Sequence, residues 1–306
     1  MALRPLDTLL SPAVLALLAT ATVTLAHGAA IAGMVSLSVM PNPAKRWQRR
    51  NRRPTLARAE RITLDDGSPG WWVRHPECAD VVVVCHGRSR SKNWMRPLVD
   101  RLSERFSVLA FDFNGHGENG FGITSNGAAE SRTVDAAVAW LAAQGVRTIV
   151  LYGCSMGGAA AILSQARSPH PAVAGVITDG TFDVLDAVFD RITARARVPA
   201  YVDRTARDLT GRLAGYRIQD IRPVDAIASV RVPALFLHGV RDTLVPAEAA
   251  LRLERASAGR GRAVFYEGAH DEPHNPMMQA LVEDFCTQRF AQPSTPSTPG
   301  PVDVQR

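Results

Sequence analysis

The sequence has few cysteines, and they are not arranged in pairs. Cys78, Cys85, Cys154 and Cys286 lack the close spacings of a zinc site or of a small disulfide scaffold. Cys85 and Cys154 stand at the ends of very apolar runs, where cysteine usually serves as a small buried hydrophobe. We therefore expect four reduced thiols in a reducing compartment.

Charge of either sign is missing from a long stretch near the amino end. No Lys, Arg, Asp or Glu occurs between Thr8 and Ala44, and this apolar run is long enough for a helix that crosses a hydrocarbon core of about 30 Å. The basic cluster that follows belongs on the cytoplasmic side by the positive-inside rule. We expect one transmembrane helix within residues 1–44, a basic linker over residues 45–60 and a cytoplasmic catalytic domain. A secretory signal or a hairpin-like insertion is the alternative.

The rest of the chain has no excess of positive charge. Six of the 35 basic residues fall between Lys45 and Arg53, with no acid among them. The 29 remaining basic residues equal the 29 acidic ones, although the net charge of the chain is +6. Because a nucleic-acid interface needs a basic face on the folded domain, we expect no nucleic-acid partner.

Short β-type runs alternate with helical stretches over residues 61–291, which we expect to form one domain. Several runs are continuously apolar, such as VVVVC at residues 81–85, which indicates strands covered on both faces. Strand followed by helix, repeated, predicts a doubly wound α/β domain with a mostly parallel sheet. Residues 292–306 are rich in Pro, Ser and Thr, which predicts a disordered tail.

Ser155 lies in the stretch LYGCSMGGAA, at the spacing Gly153-x-Ser155-x-Gly157. The motif alone is weak, because glycine and serine are common in turns. Here it stands between an apolar strand and a helix of small residues, which is the context of a nucleophile elbow. We predict that Ser155 is a nucleophile and not an idle residue of a turn.

A serine hydroxyl needs a base that removes its proton and a residue that orients the base. Asp242 and His270 follow the last two predicted strands, so the chain order is Ser, Asp, His. Asp242 would hold the imidazole in the required tautomer, and His270 would carry the proton from Ser155 to the leaving group. His274 is an alternative base and Asp179 an alternative acid.

A series of motifs resembles the α/β-hydrolase superfamily over residues 62–290, and within it the monoacylglycerol-lipase-like and serine-aminopeptidase-like members. These motifs are HG at residues 86–87, DFNGHG at 112–117, GCSMGG at 153–158, HGVRDTLVP at 238–246 and GAH at 268–270. The sequence departs by carrying Cys154 where histidine is frequent and His116 where members vary. We expect Cys154 to serve packing. The resemblance implies an α/β-hydrolase fold and acyl transfer without a metal or an organic cofactor.

The resemblance also implies an oxyanion hole made of backbone N–H groups. It nominates the amide of Met156, just after the nucleophile, and that of Arg88, with Ser89 as an alternative. His86 is then a structural residue of this loop, and Asp112 braces loops by hydrogen bonds.

An insertion at residues 181–225, between the sixth and seventh predicted strands, is long enough to cap the site. Phe182, Leu185, Phe189 and Ile192 recur in it at helical spacing, which fits either core packing or the inner face of a lid over an acyl pocket. We expect this cap insertion to decide substrate choice.

These patterns together predict a membrane-anchored serine hydrolase that cleaves a carboxylic ester through an acyl-enzyme. The expected substrate is a small-molecule ester, and the expected anchor favours a lipophilic one. A peptidase or an acyltransferase would use the same residues. A catalytically silent hydrolase scaffold that acts as a binding module is the alternative outside the enzymes.

Overall fold

A computed structural model of the protein describes residues 12–39, 59–120 and 122–291. The predicted tail at residues 292–306 and all but the last two residues of the predicted linker at residues 45–60 lie outside the described residues. The strands are β1 (Glu60–Thr63), β2 (Pro69–Val73), β3 (Val81–Cys85), β4 (Ser107–Phe111), β5 (Ile149–Cys154), β6 (Val173–Asp179), β7 (Ala234–Gly239) and β8 (Gly261–Tyr266).

In the described part of the chain these eight strands form one sheet, in the order β1-β2-β4-β3-β5-β6-β7-β8. β2 pairs antiparallel with β1 and with β4, whereas β3 to β8 run parallel to one another. The mostly parallel sheet predicted from the apolar runs is thereby confirmed. The carboxyl ends of the parallel strands meet at one edge, where ligands bind in such folds.

Most helices of the described residues lie between strands, and helices cover both faces of the sheet. They are α1 (Pro12–Val39), α2 (Arg96–Leu102), α3 (Glu130–Ala143), α4 (Met156–Arg167), α5 (Leu185–Arg195), α6 (Ala200–Ala214), α7 (Pro223–Ala226), α8 (Glu248–Ala256) and α9 (Pro276–Phe290). Single 3₁₀ turns lie at Ile218–Asp220 and Ile227–Ser229.

The central strands are buried on both faces. In β3, Val81, Val83 and Cys85 pack in one cluster with side chains of α3 and α4. Val82 and Val84 pack in a second cluster, on the other face, with α2 and α9. Because water reaches neither face, every position of this strand is apolar, and the sequence shows no alternation with polar residues.

Helices α5 and α6 lie between β6 and β7, within the region predicted as a cap insertion. Arg207 of α6 forms ion pairs with Asp186 and Asp190 of α5 and with Asp203 one turn earlier in its own helix. The side chain of Arg207 is only 14% exposed, so water screens these pairs less than it screens pairs on an open surface. The ion pairs tie the two cap helices to each other.

The carboxyl-terminal part of α1 packs against α6. Val35 and Val39 are buried together with Ala206, and the N–H of Thr124 donates to the carbonyl oxygen of Val39 at 2.8 Å. No helix of the described residues combines the length and the apolar character needed to cross a membrane. The transmembrane helix predicted within residues 1–44 is therefore not supported. Threonine, serine, glycine and a histidine occur along α1 and lower its mean hydropathy.

Candidate active site

Ser155 occupies a sharp turn between β5 and α4, with φ 49° and ψ −114°. A positive φ is costly for a residue with a Cβ atom, and this strain is the one expected at a nucleophile elbow. The N–H of Ser155 donates to the carbonyl oxygen of Asp179 at 2.8 Å. The carbonyl oxygen of Ser155 accepts from the N–H groups of Gly158 and Ala159 at 3.0 and 3.1 Å. The backbone bonds on both sides hold the turn in place.

Glycines flank Ser155 because other backbone segments come very close. A Cβ atom on Gly157 would lie 2.3 Å from the carbonyl oxygen of Cys85, and one on Gly153 would lie 2.4 Å from the carbonyl carbon of Gly157. Both obstacles are backbone atoms, which cannot rotate away as a side chain can. The glycines therefore allow β3, β5 and α4 to meet beneath the serine.

His270 and Asp242 are joined by a short hydrogen bond. The ring Nδ1 of His270 donates to Oδ2 of Asp242 at 2.6 Å. Oδ1 of Asp242 accepts from the N–H groups of Leu244 and Val245 at 2.8 and 2.9 Å. A Cβ atom on Gly180 would lie only 3.1 Å from Nδ1 of His270, so a glycine there leaves room for the pair. The carboxylate is held by the backbone and in turn orients the imidazole.

His238 is a third member of this group that sequence reasoning did not single out. Its buried ring Nε2 lies 3.3 Å from Oδ2 of Asp242 and 3.0 Å from the carbonyl oxygen of Val245. When Nε2 carries the proton, it donates to both oxygens and adds a further bond to the carboxylate. The sequence signal was the HG of the motif HGVRDTLVP, where His238 stands four residues before Asp242.

The pKa values of the pair move in the directions that an acid–base couple needs. Burial disfavours the ionised carboxyl of Asp242, but the hydrogen bonds from His238 and His270 outweigh burial and lower the pKa of Asp242 below its usual range. Burial alone would lower the pKa of His270, but the hydrogen bond and charge of Asp242 raise it above the ordinary value. An ionised Asp242 therefore stabilises a protonated His270.

Ser155 and His270 line one cavity of about 230 Å³. Its apolar wall comes from the cap and includes Phe182, Phe189 and Ile192. Phe182, Leu185 and Phe189 also pack in a hydrophobic cluster with Ala159 and Ala249, so this helical spacing serves core packing as well as the cavity wall. Among the described side chains no hydrogen bond joins Ser155 Oγ to the ring of His270, and bonds of this kind often tighten only when substrate binds.

The two predicted oxyanion donors lie beside Ser155, and both residues line the cavity. Met156 begins α4, so its N–H has no acceptor within the helix. The loop that contains Arg88 packs against the elbow at Gly87. A Cβ atom on Gly87 would lie 3.4 Å from the carbonyl oxygen of Cys154 and 3.6 Å from Cβ of Ser155. This close approach puts the loop that contains Arg88 next to Ser155, and donation by its amide to an oxyanion stays a prediction.

His86 and Asp112 hold loops in place, as the sequence predicted. Nε2 of the buried His86 accepts from the N–H of Phe113 at 3.1 Å. The buried Asp112 accepts from the N–H groups of Lys92 and Glu118, each at 2.8 Å, and pairs with the ammonium group of Lys92. These contacts connect the HG loop to the loop that follows β4.

Asp179, the alternative acid, is engaged by two tyrosines. Its Oδ1 accepts from the O–H of Tyr266 at 2.8 Å, and its Oδ2 accepts from the O–H of Tyr152 at 3.1 Å. Burial raises the pKa of Asp179 to about 6, although both hydrogen bonds oppose the rise. Since the ring of His270 bonds to Asp242, the geometry favours Asp242 as the orienting acid.

Two further alternatives came from the sequence, His274 and Ser89. His274 is exposed and is not among the described residues that line the cavity. Ser89 lines the cavity and has a positive φ of 57°. The geometry therefore favours His270 as the base, whereas Ser89 stays an alternative amide donor.

Comparisons with known proteins agree with this fold. Residues 80–221 match the family model described as the α/β hydrolase fold. An uncharacterized protein of Mycobacterium tuberculosis is 30% identical over 214 residues, which are 67% of this chain and 68% of that protein. A 2-(acetamidomethylene)succinate hydrolase of Mesorhizobium japonicum is 28% identical over 203 residues, which are 61% of this chain and 70% of that enzyme.

Solved structures show the same architecture. An esterase of Pyrococcus furiosus has a TM-score of 0.62 at 23% identity, and the match covers 76% of this chain and 91% of that one. An esterase of Rhodococcus has a TM-score of 0.54 at 19% identity, over 76% of this chain and 99% of that one. The chain belongs to the α/β-hydrolase fold family.

Gly157→Ala tests the close approach beneath the serine. The added Cβ would meet the backbone of Cys85, so we expect a loss of about 1–3 kcal/mol in the free energy of unfolding. Gly28→Ala in α1 is the matched control, because its Cβ would meet no atom within 4 Å and its stability should change little or rise. Urea unfolding measures both variants. Equal unfolding midpoints for the two would contradict the proposed crowding.

Proposed function

We propose that the protein is a serine hydrolase that cleaves carboxylic esters through an acyl-enzyme. The observation that carries this proposal is the arrangement around one cavity: Ser155 lines it from a strained turn, and His270, bonded to Asp242, lines it as well. An activated nucleophile needs a base that a third group orients, and these three residues supply that set.

In the acylation step His270 removes the proton from Oγ of Ser155, and Oγ attacks the carbonyl carbon of the ester. The amides of Met156 and Arg88 donate to the oxygen that becomes negative. His270 then gives its proton to the departing alcohol. Asp242 stabilises the imidazolium that exists between the two proton transfers.

In the deacylation step a water molecule replaces the alcohol. His270 removes a proton from this water, the resulting nucleophile attacks the acyl carbon, and Ser155 leaves with the proton that His270 returns. Both steps are proton transfers and carbonyl additions, which the three side chains and two amides perform by themselves.

Hydrolysis of an ester is favoured over the alternatives that share this site. A peptidase or an acyltransferase would use the same residues with a different leaving group or acceptor. Of the similar proteins described above, that of Mesorhizobium is named a hydrolase and those of Pyrococcus and Rhodococcus are named esterases, which supports hydrolysis. The bonded His270 and Asp242 argue against a catalytically silent scaffold.

Ser155→Ala is expected to abolish labelling by a fluorophosphonate probe. It should also lower kcat on p-nitrophenyl butyrate by about 10⁴ to 10⁶, because the other members of the triad cannot act without the nucleophile. Ser168→Ala, an exposed serine at the end of α4, is the control and should be labelled like the parent protein. Labelling of the Ser155→Ala variant would contradict the assignment of Ser155 as the nucleophile.

The size of the cavity supports a substrate with a short acyl group. About 230 Å³ lies below the range of roughly 300–1,000 Å³ that is usual for sites that hold drug-sized ligands. Phe189 and Ile192 of the cap close its apolar side. A long chain of the kind found in monoacylglycerols would have to displace these side chains.

We therefore expect kcat/KM for p-nitrophenyl butyrate to exceed that for p-nitrophenyl octanoate by at least about tenfold. Phe189→Ala should reduce this ratio, because it widens the apolar end of the cavity. Leu213→Ala, an exposed residue of the cap outside the cavity lining, should leave the ratio unchanged. Equal efficiency on both esters in the parent protein would contradict the short-chain proposal.

Membrane attachment with a cytoplasmic catalytic domain is a separate proposal, and it does not require that α1 cross the bilayer. Its support is the uncharged run between Thr8 and Ala44, followed by the basic cluster at residues 45–53. α1 also exposes apolar side chains, with Val23 53% and Leu25 73% accessible.

We expect the full-length protein to sediment with membranes and to be released by detergent. Protease added to intact cells should leave the catalytic domain uncut. Recovery of the full-length protein in the supernatant without detergent would refute attachment, and digestion of the domain from outside would refute its cytoplasmic placement.

A further inference from the structure

We propose that Asp271 is a positioning residue that couples the loop of the catalytic base to the loop of the oxyanion hole. The inference rests on the proposed function. It concerns the residue that directly follows His270 and that the sequence motifs did not mark.

The carboxylate of Asp271 accepts hydrogen bonds from three side chains in two other parts of the chain. Nε of Arg90 bonds to its Oδ2, Nε1 of Trp94 donates to its Oδ1 at 3.0 Å, and Sγ of Cys154 donates to Oδ1 at 3.3 Å. The guanidinium of Arg90 also lies over the ring of Trp94, 4.0 Å from the ring centroid. The side chain of Asp271 is 3% exposed, so these contacts are largely shielded from water.

The bonding partners stand next to the reacting groups. Arg90 lies two residues after Arg88, whose amide is an oxyanion donor in the proposed mechanism. Cys154 directly precedes Ser155. One carboxylate therefore connects the base, the nucleophile turn and the oxyanion loop. A shift of about 1 Å in any of them would be costly, because rates depend steeply on such distances.

The backbone at Asp271 has an unusual conformation. Its φ is 63°, in the left-handed region that aspartate and asparagine tolerate better than most residues with a side chain. This turn sets the direction of the chain just after His270. The bonds from Arg90 and Trp94 are side-chain contacts that favour this conformation.

The interaction assigns Cys154 a role besides packing. Burial, followed by the charge of Asp271, raises the pKa of the Cys154 thiol, so the thiol keeps its proton and donates a hydrogen bond to the carboxylate. Cys154 is therefore a hydrogen-bond donor to Asp271 and not a competing nucleophile.

Asp271→Asn tests the proposal, because asparagine keeps the shape and tolerates the left-handed backbone but carries no charge. We expect kcat on p-nitrophenyl butyrate to fall about 10–100-fold, with KM changed by less than about threefold. The charged groups that face His270 are Asp242, Asp179 and Asp271, with Arg90 paired to Asp271 and His238 to Asp242. Losing one anion should lower the pKa of His270, so the acidic limb of the kcat/KM profile should move to lower pH.

Arg90→Gln should shift the pH profile in the opposite direction. It keeps the charge of Asp271 but removes the cation paired with it, so kcat should again fall while the acidic limb moves to higher pH. In the double variant, kcat should be at most about threefold lower than in the slower of the two single variants. Both substitutions break the same contact, so their effects on kcat should not add. Glu272→Gln removes the next acid along the chain and should change neither kcat nor the pH profile.

The outcomes separate this inference from the function on which it rests. A parent protein that fluorophosphonate does not label would overturn the proposed function and this inference with it. A labelled, active parent whose Asp271→Asn variant keeps kcat and the pH profile would overturn the inference alone. If Asp271→Asn does not fold, the Arg90→Gln variant tests the coupling instead. An unchanged kcat in that variant, or an acidic limb that does not move to higher pH, would overturn the coupling.

Discussion

The close approach of three backbone segments beneath Ser155 is the constraint on which the candidate site depends. β3, β5 and α4 meet so closely that the neighbouring backbone leaves no room for a Cβ atom at Gly153 or Gly157. This crowding forces Ser155 to a positive φ and places its side chain at the carboxyl edge of the sheet. Because the strain is local, the buried strands on either side must be rigid enough to hold it.

Buried carboxylates organise the loops that surround this turn. Asp112 fixes the HG loop to the segment after β4, Asp179 receives two tyrosine hydroxyls at the end of β6, and Asp242 orients the imidazole. Asp271 joins the HG loop, through Arg90, to the loop that contains His270. Each carboxylate accepts bonds from more than one donor, so each stabilises one loop arrangement over the alternatives.

The cap closes the other side of the cavity. α5 presents apolar side chains to the cavity, and Arg207 holds α6 against α5. α1 then packs on α6 through Val35 and Val39. The segment predicted to cross the membrane thus contributes a contact to the cap, since its apolar side chains Val35 and Val39 bury against a protein surface.

The sequence by itself determined the strand order along the chain, the elbow motif and the positions of Ser155, Asp242 and His270, because local periodicity and turn chemistry depend only on near neighbours. It could not separate a lid face from core packing in the cap, since both produce the same helical spacing.

It also could not show that Asp271 accepts a hydrogen bond from Arg90, because residues 90 and 271 are distant in sequence. His238 stands only four residues before Asp242, but the direction of its ring depends on how the chain turns after β7. Only the tertiary structure decided these contacts. The sheet brings the ends of its strands to one edge, and side chains far apart in the chain then meet in a space too small for water to separate them.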